Sequence, residues 1–199
     1  VWSIIYATCR KWCKNFKRNV VVSNVVILFL LHPTITKTFL GVFQWVEISS
    51  DEARVRYDLS MKWYSTEHLL WWGALTMPMI AFWSIGIPLG AFIILTRRRD
   101  HLDNPEIKNY YLMIYQGLKN DRYYWEFVNT GRKVLILCIN ALLSTYSLFY
   151  KVLSIILLLV VFYRIQIKIV PYKRHFHNRL ERAEVIAGIF TLFGGMLYI

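Results

Sequence analysis

Five apolar runs divide the chain: Val20 to Val46, Leu69 to Leu95, Phe127 to Ser144, Leu148 to Val170, and Glu184 to Ile199. Each can be measured against the ~20 residues that a helix needs to cross a hydrocarbon core of ~30 Å. His32-Pro33 interrupts the first run, and the second carries Pro78 and Pro88. Val134 to Tyr163, taken as one helix, is about 45 Å long at ~1.5 Å per residue, too long for a single crossing. The uncharged Ser144-Thr145-Tyr146-Ser147 splits it into two antiparallel helices. The pattern predicts an all-α fold, a polytopic membrane helix bundle of about five transmembrane segments, forming one transmembrane domain over residues 1–199.

The charges between the runs order that bundle. Arg10, Lys11, Lys14, Lys17 and Arg18 precede the first run without an acid among them. Glu47 to His68 carries Glu47, Asp51, Glu52, Asp58 and Glu67 against Arg54, Arg56 and Lys62. Thr96 to Lys133 is basic again, through Arg97, Arg98, Arg99, Lys108, Lys119, Arg122, Arg132 and Lys133. Ser144 to Ser147 is uncharged, and Lys173, Arg174, Arg179 and Arg182 precede the last run. Alternation of basic and non-basic loops is what the positive-inside rule demands. It predicts a cytosolic N-terminus in a multi-pass protein, with the plasma or ciliary membrane favoured. Within the long basic loop, Asp103-Asn104-Pro105-Glu106 has the form of a helix start, an Asn cap with Pro at the first helical position. Tyr110, Tyr111, Met113, Ile114, Tyr115 and Leu118 then suit an interfacial amphipathic helix.

Composition agrees with this picture. The 199 residues are 56% hydrophobic and 17% aromatic, and Trp and Tyr favour the headgroup level. The formal net charge of +12 is accounted for by topology, so the expected partners are anionic cytosolic headgroups and other membrane subunits or self-association, not nucleic acid. Cys9 and Cys13 stand beside a basic stretch, as free thiols or palmitoylation sites, and with Cys138 they make no disulfide framework. Val1 is not a Met, and Ile199 lies inside an apolar run, so a piece of a longer protein is expected. No phosphate loop, nucleophile elbow or pair of catalytic carboxylates is visible, and neither enzyme activity nor a cofactor is expected. His175 and His177 stand among bases without a third ligand, so no metal is expected either. No run carries the regularly spaced arginines of a voltage sensor.

Three stretches carry candidate chemistry. In the first, Tyr123, Tyr124 and Trp125 form an aromatic anchor, followed by Glu126, with Arg132 and Lys133 on the helix beyond. Glu126 and Lys133 are two turns apart on one helix face, making either plain anchoring, with the basic side chains reaching the phosphates, or an entry elbow with an internal ion pair. In the second, Pro88 removes a backbone hydrogen bond, and Gly86 and Gly90 offer close helix approach, making either a hinge or a static kink. The third is Pro171-Tyr172 followed by Asn178 and Glu181, where Arg179 and Arg182 can pair with Glu181, or where the segment is a solvated linker. Of the polar residues inside the runs, His32 is a candidate pathway residue; Asn140 and Gln166 are candidates for interhelical hydrogen bonds.

In this order, the three stretches resemble the transmembrane region of transient receptor potential (TRP)-like, polycystin-like channel proteins of protists and fungi. The resemblance extends from about His32 to the end, with the Gly86-x-Pro88 element following the loop that bears His68. It implies a multi-span domain, often below a large extracellular region, with a cation-channel role. It marks Tyr124, Trp125, Glu126, Arg132 and Lys133 as the signature elbow, together with Gly86, Pro88, Asn178 and Glu181. The cysteines such families often carry after the first span are missing from Glu47 to His68. The functional expectation is a subunit or fragment of a TRP-like cation channel. The alternative is a non-conducting anchor or scaffold subunit, in an extracellular assembly or an energy-transducing complex.

Overall fold

The computed structural model describes residues 16–49, 52–99, 111–112 and 114–197. Among them five long helices dominate: α1 (Phe16–Leu40), α2 (Thr66–Arg97), α3 (Trp125–Leu142), α4 (Leu148–Ile169) and α5 (His175–Met196). Sequence neighbours pack side by side: α1 on α2, α2 on α3, α3 on α4 and α4 on α5, with α1 also against α3. Three helical stretches among the described residues are long and apolar enough to cross a membrane: Arg18–Gly41, Thr66–Arg97 and Leu148–Ile169. The other two are helices where expected but are less apolar. α3 carries Glu126, Arg132 and Lys133, and α5 begins with Arg179, Glu181, Arg182 and Glu184 in its first three turns.

The all-α expectation is corrected between α1 and α2. Helix α1 ends at Leu40, not Val46, and a single 3-10 turn over Gly41–Phe43 leads into a three-stranded antiparallel meander. Its strands are β1 (Trp45–Ser49), β2 (Glu52–Val55) and β3 (Asp58–Lys62). Val46-Glu47-Ile48-Ser49 alternates apolar and polar with period two, the strand signature, and Trp45 through Glu47 pair with Val55 through Ala53. The strands are short and mostly exposed, so an apolarity ruler passes over them. An aromatic knot ties the sheet to α2: Trp63 stacks on Trp45 at 6.2 Å and meets the His68 ring at 4.6 Å. His68 is buried, its Nε2 3.4 Å from the Val42 carbonyl.

Helix α2 passes two prolines without breaking. Trp71–Thr76 and Ile80–Gly86 are wound as π-helix, flanking Met77–Met79, and α-winding resumes at Ile87–Arg97. A proline ring clashes with the carbonyl four residues earlier and cannot donate to it. For Pro78 and Pro88 those carbonyls are Ala74 and Ser84, each inside a π stretch, where the wider turn gives the ring room. Gly86 belongs to that solution. A Cβ there would lie 3.2 Å from the Ala81 carbonyl of its own helix, and a Cβ on Gly90 would meet nothing within 4 Å. The expected close approach of a neighbouring helix at Gly86 and Gly90 is therefore not found among the described residues; the constraint on Gly86 is internal to α2.

The buried core is small and sits at the end where α2 stops and α3 begins. Leu95, Ile114, Tyr115, Leu118 and Trp125 form it, with Phe29, Phe127 and Tyr172 packed around. The predicted start of the amphipathic helix, from Asp103 to Tyr110, lies outside the described residues, as do Met113, Cys9 and Cys13. What is described of that segment turns Ile114 and Tyr115 into the protein core, while Leu112 is exposed.

Candidate functional site

Two of the sequence stretches meet in space. The first residue of α3, Trp125, is 1% exposed. Its indole Nε1 donates to both carboxylate oxygens of Glu181 on α5, at 3.1 and 3.2 Å. Helical spacing brings this about from both sides. Trp125, Asn129 and Arg132 follow one another at four and three residues and form the buried face of α3; Asn178, Glu181 and Val185 do the same on α5. Glu181 thus pairs with an indole fifty-six residues away and not with Arg179 or Arg182. The Arg182 Nε instead donates to the Asn178 carbonyl at 3.0 Å. The single indole N–H is shared between the two carboxylate oxygens, and an ionised acceptor makes such a bond stronger than a neutral one.

Asn178 closes the turn between α4 and α5. Its Nδ2 donates to the Tyr172 carbonyl at 2.9 Å and to the Arg174 carbonyl at 3.2 Å, while its Oδ1 accepts from the Tyr172 amide at 3.1 Å. The far side of the turn is held by the loop before α3. The Lys119 amide donates to the Pro171 carbonyl and the Lys173 amide to the Gly117 carbonyl, both at 2.9 Å. Gly117 has φ +84°, a region open to glycine without a Cβ penalty. Val170, just ahead of Pro171, has φ +47°, a genuine outlier for a β-branched residue. Relief of that strain is testable: Val170→Gly is expected to leave the fold intact and stabilise it by about 1 kcal/mol, since left-handed backbone costs a non-glycine residue ~1–2 kcal/mol and glycine's unfolded-state freedom offsets part of the gain. A fall in the thermal midpoint would contradict this.

Beside the turn lies a polar cavity of about 360 Å³, lined by Glu126, Asn129, Arg132, Lys133, Tyr172, His177, Leu180, Glu181 and Glu184. Most of the predicted elbow is here: Glu126, Arg132 and Lys133 face the cavity, and Trp125 lies behind it. Tyr124 does not; it lines an apolar groove between α2 and α3. Of the two readings of the elbow, the Glu126–Lys133 ion pair is not formed. Among the described residues the ion pairs are Arg54–Glu52 and Arg122–Asp121, because the α3 face turned inward is the Trp125–Asn129–Arg132 face, and Lys133 stays exposed. Burial, with the carboxylates of Glu181 and Glu126 adding to it, pushes the Tyr172 hydroxyl above its ordinary range, so it stays protonated. Asn129 was absent from the sequence-derived candidates. It is buried on this wall, and its Oδ1 has no hydrogen-bond partner among the described residues.

The remaining candidates lie higher in the bundle. His32 is buried between α1 and α2, its Nε2 3.3 Å from the Ser84 carbonyl. That carbonyl is the one Pro88 cannot engage in the α pattern. The Ser84 hydroxyl donates to Thr36 Oγ1 at 3.0 Å. His32 and Pro88, predicted separately, therefore belong to one polar cross-link. Interhelical hydrogen bonds in membrane bundles average ~0.6 kcal/mol with a maximum near ~1.7; His32→Leu is expected to cost no more than about that, read as a shift in unfolding midpoint. A much larger loss would mean that His32 does more than bridge α1 to α2. Asn140 is half-buried on α3 and makes no hydrogen bond among the described residues. Gln166 is buried, yet neither of its amide atoms has a partner there. The interhelical bonds expected from these two are thus not found among the described residues.

No protein-family model matches the chain, and no solved structure matches it. Among curated proteins it is similar to cysteine repeat modular protein A of Toxoplasma gondii, 24% identical over 180 residues. The match takes in 85% of this chain and 6% of that protein. The chain thus spans a small fraction of the relative's length.

Proposed function

We propose that this chain is a membrane module of about five spanning segments, α1 to α5, with α3 and α5 completing the bundle around α1, α2 and α4, and that it serves as a non-conducting anchor or scaffold for a longer protein. One observation carries this reading: apolar side chains point outward along the helices, and several polar ones point inward and bond from helix to helix. Leu30, Phe82, Leu157 and Phe190 are 72%, 64%, 66% and 70% exposed. In water such a surface is untenable, whereas lipid solvates it. Inside, His32 with Ser84, Ser84 with Thr36, and Trp125 with Glu181 tie helix to helix. The small fraction of the Toxoplasma protein matched by this chain supports a module within a long polypeptide. Single-cysteine variants of the full-length protein in intact cells test the topology. Cysteines placed at Tyr57 and Tyr146 should react with an impermeant maleimide only from the outside, and one at Lys173 only after permeabilisation. Labelling of all three from one side would refute the reading.

A second reading, a TRP-like cation-channel subunit, is favoured by α2. π-wound turns gather at functional sites, and here they flank Pro78 on both sides, the second running up to Pro88 beside His32. Cation flux through liposomes holding the full-length protein, altered by Glu126→Gln, would establish it. Absence of flux under voltage, calcium and tension would leave the anchor.

A further inference from the structure

A groove on the flank of α2 and α3 encloses about 640 Å³, within the ~300–1,000 Å³ of small-ligand sites. Ile85, Pro88 and Phe92 form one wall and Phe127, Gly131 and Cys138 the other. The hydroxyls that reach it are already engaged: Ser84 Oγ donates to Thr36 at 3.0 Å, and Thr130 Oγ1 donates to the Glu126 carbonyl at 2.9 Å. The body of the groove therefore asks for an apolar occupant without hydrogen-bonding needs.

One end is different. Tyr124 closes it, its hydroxyl accepting from Arg122 Nη1 at 3.1 Å and keeping its own proton to donate. The neighbouring Tyr123 hydroxyl donates to Thr96 Oγ1 at 3.3 Å, which brings the end of α2, with Arg97 and Arg98, to the same level. Asp121, 3.2 Å from the Arg122 guanidinium, is the acid facing this group. From Phe127 to Cys138 the helix rises ~16 Å at ~1.5 Å per residue, close to half of the ~30 Å hydrocarbon core. The groove is as deep as one leaflet, apolar along its length and cationic at its mouth. A partner helix would need an apolar face through both leaflets.

We propose that this groove binds a phospholipid with an anionic headgroup, one acyl chain lying between α2 and α3 and the phosphate against Arg122 and Tyr124. The proposal rests on the membrane reading above. Gly131 gives it a clean test, because a Cβ there meets nothing within 4 Å. Gly131→Leu sends a side chain into the groove from an unobstructed Cβ position, and leucine favours the helix over glycine.

The full-length protein is reconstituted into phosphatidylcholine vesicles that carry a trace of phosphatidylserine, or of phosphatidylcholine, with a diazirine in the acyl chain. After irradiation the labelled peptides are mapped, and retention in alkaline carbonate is measured on the same vesicles. The expected result is label on the α3 peptide around Cys138, severalfold stronger from phosphatidylserine. Gly131→Leu should abolish most of it at an unchanged or higher thermal midpoint. Arg122→Gln should erase the preference between the two lipids while chain labelling persists. Equal labelling by both lipids in the wild type overturns the proposal, as does labelling that survives Gly131→Leu, which is the signature of the general lipid annulus. Competition by a photoreactive sterol, or cross-linking between two copies across the groove, assigns it another occupant and overturns it as well. Release of the wild-type protein by carbonate defeats the membrane reading itself, and this inference with it.

Discussion

Trp125→Ala is expected to be the most damaging substitution in the described part of the chain. Emptying the site of a fully buried tryptophan costs about 3–5 kcal/mol in transfer and cavity terms. The lost indole also leaves Glu181, 7% exposed, as a buried carboxylate without its donor, which adds roughly 1–3 kcal/mol. Trp125→Phe separates the two contributions: it keeps most of the volume and should lose only the second. Glu181→Gln makes the opposite cut. The amide oxygen still accepts from the indole and the buried charge is gone, so the change should stay within about 1 kcal/mol. Unfolding midpoints of the three variants, in one detergent, form the measurement. The expected order of damage is Trp125→Ala, then Trp125→Phe, then Glu181→Gln. If Glu181→Gln were as harmful as Trp125→Ala, the carboxylate charge would matter for a reason other than the indole, and the cavity beside it would be where to look.

Asn178→Ala should come next, at about 2–4 kcal/mol. It removes the partners of both the Tyr172 amide and the Tyr172 carbonyl, and an unsatisfied, largely buried backbone group costs ~1–3 kcal/mol. A distinctive signature accompanies the loss. The turn that Asn178 holds contains the left-handed Val170, so releasing the turn also relaxes that strain. Val170→Gly should therefore help the wild type more than it helps Asn178→Ala. A double-mutant cycle measures the coupling, and groups sharing one network typically couple by ~0.5–3 kcal/mol. Additivity of the two changes would mean that the turn keeps its shape without Asn178, and that its closure comes from Gly117, Lys119 and Lys173 alone.

Most helices were legible because apolar runs and their breaks are one-dimensional quantities. Ser144 to Ser147 does separate α3 from α4, and Pro171 does separate α4 from α5. The meander is legible in principle through the period-two alternation at Val46 to Ser49, yet a ruler of length and apolarity is blind to strands of four or five residues. Site residues divide along a similar line. Trp125, Asn178 and Glu181 were found because a tryptophan, an asparagine and an acid beside apolar runs are chemically conspicuous. Their mutual partnership was not, since helical periodicity says which residues share a face but not which face of another helix stands opposite. That is why the sequence offers no hint of the Trp125–Glu181 pair, and why Asn129 is unremarkable in it.

By itself, then, the sequence determined the helices, their order, the prolines that α2 must absorb and the three charges that make α3 less apolar than its neighbours. These follow from local sterics, hydrogen bonding and the free energy of transfer, which act within one segment. Only the tertiary structure decided that His32 faces the carbonyl ahead of Pro88, that Glu181 turns to an indole and away from its adjacent arginines, and that an apolar groove opens between α2 and α3 beside Tyr124. Each of these depends on the rotation of one helix against another. That rotation is set by the packing of all their side chains together, which no single stretch of the chain encodes.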